Sequence, residues 1–322
     1  MRILFAFSFI LISLVGCTTA KQRDKERASQ HHMGVSLESS RGDSLPLVDQ
    51  QQTGSFIGPT PTIDEENLVS STQTTSSPLP IIGVSFSAGL ARAMAHVKIV
   101  REFAKLEIKP NIVTGSGMGA VIATLVSFDL SADLIEWRLF NFLSSTADVK
   151  LFSKEWLESL DNILLDDLKD RRIEHARLTL LLPVYDRTTK QTVLLSRGSV
   201  REIIRAQFNL NPNSKSSKYS ASYTLEAFNA EKLKAAGADF VLGIDALGDN
   251  IRFLKTDSFL LGIYGRAVSA INREKHELKY YFRLPVDSVP IDANSQQELR
   301  NVRIGKELSD KLIEAQESIK SW

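Results

Sequence analysis

Residues 111–125 read "NIVTGSGMGAVIATL" and place Gly115, Ser116, Gly117, Met118 and Gly119 in one short turn. A strand, a glycine-rich turn and the start of a helix, in that order, present a nucleophilic serine to an acyl carbonyl when the turn has the frame Gly-x-Ser-x-Gly. In this chain the centre of the frame is Gly117, and the hydroxyl of the turn belongs to Ser116, one residue early. A shift of one residue along an extended chain turns a side chain to the opposite face. Gly117 suits the strained backbone of such a turn but supplies no oxygen. Two readings stay open. In one, Ser116 is the displaced nucleophile of an active serine acyl hydrolase. In the other, which the residues favour, the turn keeps its shape without its chemistry and Ser116 satisfies local backbone groups.

Acyl transfer also needs donors for the developing oxyanion. A second glycine-containing turn, Ser87–Ala93, stands earlier in the chain and includes Gly89, Leu90 and Arg92. Arg92 either positions an anionic head group near a helix N-terminus or is a solvated surface charge. Ser85 and Ser87 lie on a strand or its loop, where capping or packing suits them better than nucleophilic attack. His96 follows Ala95 in a helical stretch and reads as a packing or hydrogen-bonding residue. Asp186 could be the acid of a reorganised site, but it more simply starts the turn at Arg187-Thr188.

The elements that carry these residues alternate. "IIGVSF" is a short β-branched run bounded by Pro80 and by Ser87-Ala88-Gly89, and reads as a buried strand. "ARAMAHVKIVREFAKLEI" carries Met94, Val97, Val100 and Phe103 at helical spacing and ends before Pro110. "NIVT" is a second strand and "AVIATLVSF" a buried helix. "ADLIEWRLFNFL" is a helix with Ser131 as its cap and Asp133 in its first turn. "RLTLLLPVYD" and "QTVLL" are strands about the turn "RTTK", and "SVREIIRAQF" is an amphipathic helix. "LEAFNAEKLKAAGADFVLGID" is a helix stopped by Gly237 and followed by a buried strand. "YYFRLPVD" is a late strand, and "SQQELRNVRIGKELSDKLIEAQESI" is a closing helix. Such alternation predicts an α/β fold with a mostly parallel sheet, in which ligands sit at the carboxyl ends of the strands.

"IGVSFSAGLARAMAHVKIVREF" followed by "KPNIVTGSGMGAVIATL" resembles the patatin-like phospholipases. That family has a loop Gly-Gly-Gly-x-Arg-Gly, an Ala-His helix, and a second strand leading to Gly-x-Ser-x-Gly-Ala. Here the loop reads Ala88-Gly89-Leu90-Ala91-Arg92-Ala93; Arg92, Ala95, His96, Gly115, Gly119 and Ala120 fall in register. "LPVYDRTTKQTVLLSRGSVREIIRAQ" and "AEKLKAAGADFVLGID" extend the resemblance over nearly all of 80–322. It implies a three-layer fold around a mostly parallel central sheet, and a Ser–Asp dyad that hydrolyses acyl esters of lipids without metal or cofactor. Three features depart from the pattern. Gly117 stands at the nucleophile position, Ala221 stands near the position of the dyad aspartate, and the oxyanion loop has lost two of three glycines. The resemblance is therefore to a catalytically degenerate member that binds a lipid, an acyl group or a protein partner in the old cleft.

The chain has 322 residues, 43% hydrophobic and 24% charged, with 39 basic against 38 acidic side chains. That balance gives no long-range field to draw it to nucleic acid. "MRILFAFSFILISLVGC" has a positive start, an apolar run too short for a comfortable span, and small residues at its end, as an export signal does. Its ending, Leu14-Val15-Gly16-Cys17, resembles the lipobox of bacterial lipoproteins. The resemblance implies cleavage before Cys17, acylation of the chain's one cysteine, and anchoring to the cell envelope, with Thr18 favouring the outer membrane if the cell is Gram-negative. Residues 18–79 are rich in Ser, Thr, Gln and Pro, without periodicity, and read as a flexible tether spanning roughly 45 Å. Within it, Arg41-Gly42-Asp43 and His31-His32 are weak signals. Residues 80–322 are expected to form one domain.

Overall fold

The computed structural model describes residues 79–210, 217–254, 257–293 and 302–322. The signal segment with Cys17, the Arg41-Gly42-Asp43 tripeptide, the His31-His32 pair and all of the tether except residue 79 lie outside them.

The chain folds as a mixed α/β structure. Strand β1 (Ile82–Phe86) is buried throughout and pairs in parallel with β2 (Ile112–Gly115) on one side and with β6 (Phe240–Asp245) on the other. Beyond β2 lies β3 (Thr179–Asp186), also parallel, and beyond β6 lies β7 (Tyr280–Arg283). Antiparallel β4 (Gln191–Leu195) closes one edge, and the two-residue β5 (Tyr219–Ser220) pairs with the far end of β3. The order is therefore β4-β3-β2-β1-β6-β7. The chain leaves β1 toward β2 and later returns to its opposite side with β6. Such a switch point in a parallel sheet opens a crevice at the carboxyl ends of the strands, and both glycine-containing turns stand there.

Continuous apolar runs form the central strands because both faces are covered. Helix α2 (Met118–Ser127) is buried on all but one residue and packs across β1, β2 and β3. Helix α1 (His96–Lys105) buries His96, Val97, Ile99 and Phe103. Helix α3 (Ala132–Ser145) is capped as its sequence predicts, with Ser131 Oγ accepting from the Leu134 amide at 3.3 Å. Short α4 (Lys154–Ser159), α5 (Val200–Ala206) and α6 (Ala230–Ala235) follow, then α7 (Ser258–Glu274) and α8 (Lys306–Lys320). Among the described residues, no helix is long and apolar enough to cross a membrane.

Several boundaries differ from the sequence reading. The helix expected from Ala91 onward opens as a 3-10 turn (Leu90–Ala95) and ends at Lys105, because Glu107 takes a left-handed backbone (φ 57°). The helix expected from Leu225 starts only at Ala230. Asn229 is left-handed (φ 56°), and Glu274 takes the amides of Ala227, Phe228 and Asn229 at 2.5, 2.9 and 3.0 Å. Of the closing helix expected over 295–319, residues 302–305 are not helical and a helix runs over Lys306–Lys320, while residues 294–301 lie outside the described residues. Helix α7, with Leu260, Ile263, Tyr264, Ala267, Ala270 and Ile271 buried on one face, was not among the expected elements.

Candidate functional site

The turn after β2 has the geometry of a nucleophile elbow. Gly117 has φ 55° and ψ −125°, a conformation that L side chains rarely adopt and that glycine takes without strain. Its neighbours in the frame are glycines because the backbones nearly touch. A β-carbon on Gly119 would lie 2.3 Å from the carbonyl oxygen of Ser87, and one on Gly115 would lie 2.3 Å from that of Gly119. The end of β1, the end of β2 and the first turn of α2 are thus packed backbone against backbone.

Ser116 is buried. Its amide donates to the Phe86 carbonyl at 2.9 Å, and its hydroxyl donates to the Ala227 carbonyl at 3.3 Å. No acid or imidazole is among the hydrogen-bond partners of that hydroxyl. The Gly117 amide donates to Oε1 of buried Gln207 at 3.2 Å, while Nε2 of Gln207 donates to the Pro183 carbonyl at 2.7 Å. Gln207 was not foreseen in the sequence, since only the pairing of distant elements brings it under the elbow.

Ala88 and Tyr223 stand close beside Gly117. A β-carbon there would meet the Ala88 methyl at 3.2 Å and Cε1 of Tyr223 at 3.6 Å. Within Ala221-Ser222-Tyr223, where the resemblance puts the dyad aspartate, Tyr223 is therefore the residue that faces the elbow. Ala221 is only partly buried, and its amide is bonded to the Asn209 carbonyl. The Tyr223 ring is fully buried and stacks on Tyr264 with centroids 5.8 Å apart. Burial raises the pKa of the Tyr223 hydroxyl and keeps it neutral.

The loop after β1 is built around Arg92, and here both expectations fail. Arg92 is neither a surface charge nor free to meet an anion. Its side chain is completely buried, and it donates to the carbonyls of Val289 (2.7 Å), Asn250 (2.7 Å) and Leu247. Burial pulls its pKa down, but a guanidinium stays charged at any ordinary pH. The fork of donors ties together the segments that follow β6 and β7. Leu90 holds φ 44°, costly for a branched side chain, while Gly89 packs against the Ala246 carbonyl.

His96 is also buried, with Nε2 3.0 Å from the Ser87 carbonyl and its ring edge-on to Phe86. Burial lowers its pKa to about 4, so at neutral pH it is a neutral donor to that carbonyl. Ser87 Oγ accepts from the Ala246 amide at 2.9 Å and lies 3.4 Å from Asp245 Oδ1. Ser85 is buried within β1. Asp186 Oδ1 accepts from the amides of Thr188 and Thr189, and its other oxygen pairs with Lys218 at 3.2 Å. By strand register Asp186 lies four residues past the level of Gly115, roughly 13 Å along β3. Among the described residues, no three His, Cys, Asp or Glu side chains are grouped to hold a metal.

Next to the elbow is a cavity of about 540 Å³. Leu90 and Met118 line it on the elbow side, Phe142 and Trp156 on a second side, and Phe253 and Leu260 on a third. Neither Ser116 nor Gly117 reaches its wall. The volume is that of a small-molecule site, and its walls mix apolar side chains with Asp148, Lys150, Asp257 and Asp292.

Residues 84–242, from within β1 into β6, match the family model described as patatin-like phospholipase. No curated protein matches the chain.

Proposed function

We propose, from the match of residues 84–242 to the patatin-like phospholipase family model, that this protein is a non-catalytic relative of lipid hydrolases that binds a lipid or acyl group. The observation that carries this reading is the backbone of Gly117, which holds the elbow conformation at the position where the family frame has its serine. The Ser116 hydroxyl donates to the Ala227 carbonyl, and the neighbour of Gly117 from the 221–223 segment is the Tyr223 ring rather than an acid. The 540 Å³ cavity, with Leu90, Met118, Phe142 and Trp156 in its lining, supplies a place for an apolar part of a ligand.

The same proposal places the protein in the cell envelope, acylated at Cys17 and held off its membrane by residues 18–79, on the periplasmic face of the outer membrane in a Gram-negative cell. Its support is the signal-like segment that ends at Cys17. Metabolic labelling with a tagged fatty acid tests it: label lost in Cys17→Ser is expected, and label unchanged in that variant refutes it.

Turnover separates the binding reading from an active hydrolase that uses Ser116. The purified protein is expected to hydrolyse short-chain acyl esters no faster than buffer. Turnover that disappears in Ser116→Ala would overturn the reading.

A further inference from the structure

Behind the elbow, three buried polar side chains have no hydrogen-bond partner among the described residues. They are Ser85 at Oγ, Thr114 at Oγ1, and Asn229 at both Oδ1 and Nδ2. Native interiors rarely leave such groups unpaired, because each has given up its hydration on burial.

The sheet brings the three together. Ser85 on β1 and Thr114 on β2 are register partners in parallel strands. Their side chains therefore leave the same face, from backbones roughly 4.8 Å apart. Three contacts hold Asn229 over that pair. The carbonyl of Ala227 accepts from Oγ of Ser116, two residues along the chain from Thr114. The Phe228 ring comes within 3.4 Å of a β-carbon on Gly243, the partner of Ser85 on β6. Leu233, whose amide donates to the Asn229 carbonyl, comes within 3.7 Å of a β-carbon on Gly83, two residues before Ser85. Asn229 thus sits between the level of Gly83 and the level of Ser116, with its left-handed backbone (φ 56°) fixed by Glu274.

We infer that Ser85, Thr114 and Asn229 bind a buried water beneath the elbow. Each hydroxyl offers one donor and acceptor lone pairs, and the Asn229 amide offers both donors and an acceptor, which suits a ligand with two of each. Two hydroxyls that do not reach each other are joined by one water, which spans two hydrogen bonds of about 2.8 Å. An ion suits the place less well. The three side chains carry no charge, and they supply three oxygens where a hard cation takes about six or more. The water ties β1, β2 and the entry to α6 where they meet behind Ser116. None of the three side chains lines the 540 Å³ cavity, so the water belongs to the fold and not to a reaction. The inference stands apart from the acyl-binding reading.

Thr114→Val in the full chain tests it, because valine keeps the shape and removes the hydroxyl. Urea unfolding is expected to give a folding constant lower by about fivefold or more, since the water loses a partner. A hydroxyl with no water predicts the opposite, a constant equal to or above that of the native protein, and that result overturns the inference. Ser85→Ala is expected to lower the constant as well. The double variant is expected to lose less than the product of the two factors, because both side chains act on one water; a loss equal to the product overturns the shared site. A crystal structure that resolves ordered waters reads the site directly. It is expected to show one within about 3.2 Å of both Ser85 Oγ and Thr114 Oγ1. Side chains bonded to one another, or left unpaired with no water between them, overturn the inference whatever the unfolding curves show.

Discussion

The ring of Tyr223 stands 3.6 Å from the point that a β-carbon on Gly117 would occupy. The elbow conformation is present, and an aromatic side chain lies in van der Waals contact with the position of that β-carbon.

Gly117→Ala is expected to destabilise the fold by about 1–3 kcal/mol, because the backbone at φ 55° is strained for any L side chain and the new methyl meets Ala88. Urea unfolding measures it as a lower midpoint with an unchanged slope. A midpoint equal to that of the native protein would mean that the turn relaxes.

Ser116→Ala removes one long hydrogen bond to the Ala227 carbonyl. The expected cost is about 1 kcal/mol or less, read from the same unfolding curve. A loss several times larger would assign the hydroxyl a role that this geometry does not contain.

Arg92→Met strands the buried carbonyls of Leu247 and Val289 and the part-buried carbonyl of Asn250. A loss of about 3 kcal/mol or more is expected. Arg92→Lys is expected to recover little, since a point charge cannot reproduce the planar fork. Thermal unfolding of the two variants side by side checks both statements.

His96 makes stability depend on pH. Its folded pKa is lowered by burial to about 4, below the ordinary value of 6.5. The unfolded chain therefore binds the proton more readily. The contribution is complete above about pH 6.5 and is lost as pH falls toward 4, about 3 kcal/mol in all. His96→Gln is expected to flatten the stability profile across that window, which denaturant midpoints between pH 4 and 7 measure. An unchanged slope would place the dependence elsewhere.

How far the sequence discloses this molecule can be seen residue by residue. Strands β1 and β2 are legible because their β-branched runs are bounded by proline and glycine, and α3 because Ser131 and Asp133 mark its start. Helix α6 is not, because what delays it is Glu274, 45 residues away from Asn229, whose amide it accepts. Helix α7 hides its 3–4 spacing behind Gly262 and Gly265, which read as breakers. At the site, the altered frame around Gly117 is plain from the letters alone. Gln207 under the elbow, Tyr223 beside it and the three-carbonyl clamp of Arg92 are products of tertiary packing, and no local pattern announces them. Arg92 is the sharpest case: a charged residue in a loop predicts solvent, and the fold instead buries it among carbonyls.

The central claim is that this elbow carries no nucleophile. A fluorophosphonate that phosphonylates activated serines tests it most directly, with the adduct read by intact-mass spectrometry and located by peptide mapping. The expected result is an unmodified protein after prolonged exposure. A stoichiometric adduct on Ser116, absent from Ser116→Ala, would contradict the account.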